Sequence, residues 1–99
     1  MKYNMKYRYV IVRGDRSGVF AGTLADHEGQ TVVLENCRRL WYWDGAASIS
    51  QIARDGVKSP RSCKFTVTVD KIAILDAIEI LPATAEAEVS IKAVPEWKM

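Results

Sequence analysis

Histidine, cysteine and long apolar runs are scarce in this 99-residue chain, and each shortage excludes a class of site. The one histidine, His27, stands in a predicted turn, and no Ser or Cys stands in a nucleophile motif. Two widely separated cysteines, Cys37 and Cys63, make no metal-ligand set at a known spacing. No glycine-rich phosphate motif of the P-loop or dinucleotide type occurs. We therefore expect no catalytic residue, no metal and no cofactor, and a protein that binds rather than an enzyme.

Features of secreted and membrane proteins are also missing. The apolar runs fall far short of the ~20 residues that cross a bilayer, and no apolar segment follows the charged N-terminus as in a signal peptide. Two cysteines are too few for a disulfide framework, so we expect reduced thiols. These shortages predict a cytoplasmic protein without a membrane partner. Residues 1–3 and 5–7 repeat each other, so the true start is Met1 or Met5.

Length and composition predict a single domain over residues 1–99. The hydrophobic share of 48% and the charged share of 26% are ordinary for a globular protein. A chain of this size buries only roughly 60–70% of its unfolded surface. Its nine aromatic residues therefore favour association into a homo-oligomer, which would cover the remaining apolar surface.

Alternation of apolar and polar residues predicts most of the chain to be strands. The predicted strands cover residues 6–13, 19–25, 31–35, 38–43 and 64–70, with one or two further strands in 72–81. In the segment 64–70, Phe65, Val67 and Val69 are expected to face the core, and Thr66 and Thr68 to be exposed or paired.

Two short helices are predicted from their caps. Ser48 and Gln51 fit a capping box, and Gly56 is suited to end that helix. Thr84 is suited to begin the second helix, which Pro95 ends. The expected fold class is mostly β (α+β): a small antiparallel barrel or rolled sheet of about five to seven strands with two short helices.

Segment 36–48 combines arginines, tryptophans and small residues at a helix start. Arginine grips phosphate with a planar fork of donors, and tryptophan faces stack on bases. A helix N-terminus behind small residues accepts a further anionic oxygen. The candidate ligand-binding residues are Arg38, Arg39, Trp41, Trp43, Gly45, Ala46 and Ser48.

Strand alternation places Arg39, Trp41 and Trp43 on one face, with Arg38 on the other. The alternative interpretation is that the tryptophans belong to the core or to a subunit interface, where Trp and Arg are also enriched. The sequence leaves both interpretations open.

Four runs in the sequence, at residues 9–13, 18–22, 37–46 and 78–80, resemble a family of small uncharacterised phage and prophage proteins. The most specific part is Arg-Arg-Leu-Trp-Tyr-Trp-x-Gly-Ala, which begins at Arg38. The resemblance covers most of the chain and implies no particular activity. By class, small oligomeric phage proteins include anti-defence proteins that sequester nucleotide signals of bacterial immunity.

The leading hypothesis is a non-enzymatic phage accessory protein in the cytoplasm of the infected host. It would bind a small phosphorylated nucleotide, of cyclic oligonucleotide or ADP-ribose type, as a homo-oligomer. Residues 1–64 contain eleven Lys and Arg against six Asp and Glu, a balance of +5, which suits an anionic partner. One alternative is a small nucleic-acid-binding barrel, and another is a phage assembly or protein-interaction module. The basic residues expected to serve the nucleic-acid alternative are Lys6, Arg8, Arg13, Lys58, Arg61 and Lys64.

Overall fold

A meander of three antiparallel strands begins the fold in the computed structural model, which describes residues 4–99. Strands β1 (Tyr9–Gly14), β2 (Val19–Glu28) and β3 (Thr31–Tyr42) pair through two short hairpins. The polar, glycine-containing turns between them are local, so alternation and turn chemistry suffice to specify this part of the sheet.

Three shorter strands complete the sheet: β4 (Lys64–Phe65), β5 (Val69–Ile74) and β6 (Ala77–Pro82). β4 and β5 both pair with β3, whereas β6 pairs with β1 at the other side of the meander. Because β5 and β6 follow each other in the chain, their connection passes from one side of the sheet to the other and rolls it. The predicted fold class is confirmed, in the form of a rolled sheet of six antiparallel strands that does not close into a barrel.

Helix α1 (Ile49–Asp55) and helix α2 (Ala85–Ala93) confirm the two predicted caps. The Ser48 hydroxyl accepts a hydrogen bond from Gln51 N at 3.1 Å, and the Thr84 hydroxyl accepts one from Ala87 N at 3.1 Å. Gly56 ends α1 with a φ of 79°, a conformation that glycine adopts without strain. A short 3-10 turn, Pro60–Ser62, precedes β4.

Buried side chains lie on both faces of the meander. One cluster, inside the roll, includes Val10, Val12 and Phe20. The other, which includes Ile11 and Ile52, lies between the sheet and the two helices. Alternate residues of β1 therefore belong to different clusters, and this explains why its sequence is almost continuously apolar.

Within the meander, the strand boundaries differ from the predicted ones in three places, and after it the strand predicted at 64–70 is divided between β4 and β5. β1 begins at Tyr9 rather than at Lys6, because Tyr7 has a φ of 69° and the chain turns there. β2 continues to Glu28, so His27 lies in a strand rather than in the turn. The segments predicted as two strands, 31–35 and 38–43, form the single strand β3, and Asn36 with a φ of 47° marks an irregularity within it.

The prediction for residues 64–70 was wrong for two of its three core residues. Phe65 is fully buried, but Val67 and Val69 are 37% and 38% exposed. Leu40 lies opposite Phe65 whereas Cys37 lies opposite Val69, so three steps along β3 match four steps along the other segment. One extra residue interrupts the pairing, and such a shift changes the face toward which the following side chains point.

Within residues 4–99, neither helix is long and apolar enough to cross a membrane. Cys37 and Cys63 are both buried free thiols, and burial raises the pKa of the Cys37 thiol. The prediction that the chain starts at Met1 or Met5 concerns residues 1–3, which lie outside the described residues.

Candidate functional site

A surface cleft of about 510 Å³ lies where the end of β3 meets the turn between β1 and β2. We call it the tryptophan–arginine cleft. Its lining residues are Arg16, Ser17, Gly18, Val19, Arg39, Leu40, Trp41 and Trp43. The structure thus brings together three of the residues that the sequence predicted to bind a ligand: Arg39, Trp41 and Trp43.

Strand β3 places Arg39 and Trp41 on the same face because side chains two residues apart share a face. Cys37, on the same face of β3, is buried inside the rolled sheet. Arg39 comes two residues later, and its side chain is exposed. The guanidinium carbon of Arg39 lies 4.7 Å from the ring centre of Phe20, its cross-strand partner. This cation–π contact orients the Arg39 side chain beside the cleft while leaving its donors exposed.

The two tryptophans of the cleft differ in burial. Trp41 is 62% exposed, so the interpretation that it belongs to the core of this chain does not hold. Trp43 is half-buried and packs against the cluster between sheet and helices, so the predicted common face of Arg39, Trp41 and Trp43 was wrong for Trp43, which follows the end of β3. Trp41 therefore offers an open face for stacking, whereas Trp43 forms a fixed wall.

The turn between β1 and β2 contributes the opposite wall, and the sequence analysis did not include it in the site. The Asp76 carboxylate accepts hydrogen bonds from Arg16 N at 2.7 Å, from Ser17 N at 3.0 Å and from the Ser17 hydroxyl. Gly18, with a φ of 109°, faces Arg39, and a Cβ added there would lie 3.8 Å from Arg39 Nε. The signal in the sequence was an arginine within a turn between two glycines, Gly14 and Gly18.

Arg16 and Arg39 both keep their guanidinium donors unengaged within the described part of the chain. Neither side chain donates a hydrogen bond to another described residue, and neither lies within 4.0 Å of a carboxylate. Both side chains are exposed. Two guanidinium groups that have no carboxylate partner and lie beside one cleft favour the binding of an anionic ligand there.

Arg38 has a structural role instead of a place in the cleft. Its side chain is 3% exposed and lies on the helix side of β3. It donates to the carbonyl oxygens of Thr66 (3.0 Å), Phe65 (3.1 Å), Ile91 (3.0 Å) and Val94 (2.9 Å). With these donors engaged and the group buried, we leave Arg38 out of the proposed site. Burial lowers the pKa of its guanidinium.

Gly45, Ala46 and Ser48 also have structural roles. Gly45, with a φ of 86°, packs so closely on the chain at Lys58 that an added Cβ would lie 2.7 Å from Lys58 N. Ala46 packs against the cluster between sheet and helices, and Ser48 caps α1. Ser48 borders a separate depression with Arg54 rather than the tryptophan–arginine cleft. The predicted anion site at the start of α1 therefore lies outside the tryptophan–arginine cleft.

Comparison with known families assigns the chain through most of its length. A family model described as Domain of unknown function (DUF6948) matches residues 7–91. The chain belongs to this family. The matched segment of DUF6948 contains the whole lining of the tryptophan–arginine cleft, from Arg16 to Trp43, and ends before Trp97. Searches of the curated proteins and of the solved structures gave no match.

Across residues 4–99, no three His, Cys, Asp or Glu side chains lie close enough together to hold a metal ion.

We expect Asp76→Asn to loosen the wall of the cleft and to change the pH dependence of stability. Hydrogen bonds, first from the Ser17 hydroxyl and then from the Arg16 and Ser17 backbone, hold the pKa of Asp76 below its usual range. A carboxylate whose pKa is lower in the folded state stabilises the fold above its unfolded pKa, and this stabilisation disappears as the pH falls through the folded pKa.

The measurement is urea denaturation of both proteins at about pH 7 and about pH 3, which bracket the ordinary Asp pKa of about 3.9. The wild type should be the more stable at neutral pH, and the difference should shrink at acid pH. A difference of the same size at both pH values would show that Asp76 does not titrate with the fold.

Proposed function

We propose that this DUF6948 protein binds a small phosphorylated nucleotide in the tryptophan–arginine cleft and holds it without catalysing a reaction. The observation behind this proposal is the pairing of two unengaged guanidinium groups, Arg16 and Arg39, with the exposed indole of Trp41 along one cleft. Guanidinium groups bind phosphate through charged hydrogen bonds, and an exposed indole stacks on a nucleobase. A nucleotide requires both kinds of contact at once.

The size of the cleft and the nature of its lining support a small ligand. Its volume of about 510 Å³ falls within the ~300–1,000 Å³ range of small-molecule sites. The lining side chains are cationic, aromatic, aliphatic and hydroxyl groups. Such groups orient and retain a ligand, so we assign Arg39 and Arg16 to phosphate and Trp41, backed by Trp43, to the base.

Sequestration of a signalling nucleotide is the biological role that we propose for this binding. It rests on the resemblance to small phage and prophage proteins and on the class of anti-defence proteins among them. The signal would be of cyclic oligonucleotide or ADP-ribose type, and the protein would act in the cytoplasm of the infected bacterial host.

A single-stranded nucleic acid is the second candidate, because the cleft is open and a further tryptophan, Trp97, stacks beside Trp41 at its margin. Salt dependence distinguishes the two. Binding to a single strand releases counterions, so log K falls with log salt with a slope of about −0.7 per phosphate contacted. A small nucleotide held by two arginines should give a slope of about −1 to −2 by the same rule. A slope steeper than about −4 would favour the nucleic acid.

We further propose that the protein is a homo-oligomer, since large apolar side chains remain exposed on the single chain. Leu75 is 72% exposed and Ile78 is exposed beside it, at the connection between β5 and β6. Light scattering at micromolar concentration should give a multiple of the 11.1 kDa chain mass. Leu75→Glu should reduce that mass, because a charge at an apolar interface opposes association. A wild-type mass of 11.1 kDa would contradict the proposal.

A further inference from the structure

The C-terminal segment lies along the short strand β4 and places a second indole beside the cleft. Phe65 and Glu96 form a parallel bridge, and Trp97 N donates to the Phe65 carbonyl at 2.8 Å. The Glu96 carboxylate also accepts a hydrogen bond from Thr68 N at 2.9 Å. These bonds hold the chain at Glu96 and at the Trp97 amide, and so they position the start of Trp97 beside β4.

The indole rings of Trp97 and Trp41 are stacked. Their planes differ by 4°, and their centroids are 6.2 Å apart. Trp97 is 46% exposed, so the pair presents a large aromatic surface to solvent. Exposed aromatic clusters of this kind commonly mark interaction sites.

Lys64 adds a positive charge to this pair. Its ammonium lies 5.5 Å from the ring centre of Trp97. Among the ion pairs of residues 4–99, none includes Lys64, and its side chain is exposed. Glu96, the acidic residue nearest in the chain to Trp97, already pairs with Lys98 at 3.7 Å. Trp97 and Lys64 therefore add a second indole and a further cation beside Trp41 and Arg39.

We infer that Trp97 and Lys64 form a second nucleotide subsite, adjoining the tryptophan–arginine cleft across Trp41. The preferred ligand then has two bases joined by phosphate, with one base at Trp41 and the other at Trp97. Charge complementarity selects this occupant, because Arg16, Arg39 and Lys64 together match the phosphates of such a ligand. The inference rests on the proposed function and specifies its ligand class.

The test is a titration of AMP and of the linear dinucleotide pApA into the wild type and into Trp97→Ala. Tyr7→Ala is a matched control, since Tyr7 is an exposed aromatic residue with a lysine over its ring but lies outside the lining of the cleft. We expect pApA to bind the wild type about tenfold or more tighter than AMP, as one additional stacked base contributes. Trp97→Ala should abolish that advantage and leave AMP affinity unchanged, and Tyr7→Ala should alter neither.

Lys64→Gln provides a second variant should Trp97→Ala fail to fold. Its exposed side chain can change without loss of packing, and we expect it to weaken pApA binding several-fold and AMP binding not at all. Extending the ligand to about twelve nucleotides distinguishes its source, because single strands bind through successive stacked bases. Affinity that stops rising at two nucleotides identifies a free dinucleotide, and affinity that continues to rise identifies a single strand; both outcomes retain the second subsite.

Three results would overturn the inference. If AMP and pApA bind with equal affinity and Trp97→Ala changes neither affinity, the second subsite does not exist. The proposed function, with its single subsite, would then still hold. A loss of AMP and pApA affinity by the same factor in Trp97→Ala would likewise show one shared site. A lower oligomeric mass of Trp97→Ala in light scattering, with nucleotide binding unchanged, would assign the indole pair to an interface with a second copy. A wild type that binds neither nucleotide would instead contradict the proposed function itself.

Discussion

Arg38→Ala is expected to lower the free energy of unfolding by about 3–5 kcal/mol, because it leaves buried carbonyl groups without a donor and creates a cavity. The guanidinium donates to four backbone carbonyl oxygens, on Phe65 and Thr66 of the β4 region and on Ile91 and Val94 at the end of α2. Without it, the carbonyl oxygens of Thr66 and Val94 lose their donor, at about 1–3 kcal/mol for each that water does not reach. The Phe65 and Ile91 oxygens keep one backbone donor each, Trp97 N and Val94 N. The vacated volume adds a cavity between sheet and helix.

Arg38 also neutralises the negative end of the α2 dipole. The carbonyl groups of the last helical turn have no partner within the helix, and a cation there stabilises them. Arg38→Lys retains the charge but has no planar fork with which to reach both pairs of carbonyls, so we expect it to be destabilised as well, though less than the alanine variant.

The loss of stability is measured by urea denaturation of Arg38→Ala, with Arg39→Ala as the matched control. The neighbouring arginine is exposed and donates no side-chain hydrogen bond among the described residues, so its removal should change stability by less than about 1 kcal/mol. Equal stability of the two variants would show that the buried arginine does not join β4 to α2.

Arg39→Ala and Trp41→Ala are each expected to weaken nucleotide binding by about 1.5–3 kcal/mol, or roughly tenfold to 150-fold. Arg39 loses a charged hydrogen bond to phosphate, and Trp41 loses a stacked base. Neither variant should unfold, because both side chains are exposed. A buried tryptophan would behave differently, since its truncation costs about 3–5 kcal/mol of stability.

The measurement combines thermal melting with calorimetric titration of a nucleotide for the wild type and both variants. Val89→Ala is a suitable control, because Val89 is an exposed apolar residue on α2, outside the lining of the cleft. Binding by Arg39→Ala as tight as that of the wild type, together with loss of the fold in Trp41→Ala, would show that this motif is structural.

The sequence predicts those parts of the fold that short-range chemistry determines. The meander follows from alternation and turn residues, and both helices begin at the predicted caps, Ser48 and Thr84. The register of 64–70 was predicted wrongly because one extra residue between Phe65 and Val69 is set by pairing with β3, about thirty residues earlier in the chain. Periodicity within a segment contains no information on such a distant partner.

In the candidate site, too, local sequence patterns predict some features and long-range contacts determine the others. Alternation correctly separates Arg38 from Arg39, but it does not say which face α2 covers. Two of the four carbonyl groups that accept from Arg38 belong to Ile91 and Val94, 53 and 56 residues further along the chain. Likewise, the turn that contains Ser17 is held in the wall of the cleft by hydrogen bonds to Asp76, 59 residues further along the chain. These contacts depend on how the sheet rolls, and the roll is a property of the whole chain.

Mass spectrometry of the small molecules retained by the purified protein tests nucleotide binding most directly. Wild type and the double variant Arg39→Ala/Trp41→Ala are exposed to the same lysate of phage-infected cells, purified again and denatured to release what they hold. The wild type should release a phosphorus-containing nucleotide in near-stoichiometric amount, and the double variant should release little or none. Equal amounts from both proteins, or no nucleotide from the wild type, would contradict the proposal that the tryptophan–arginine cleft holds a nucleotide.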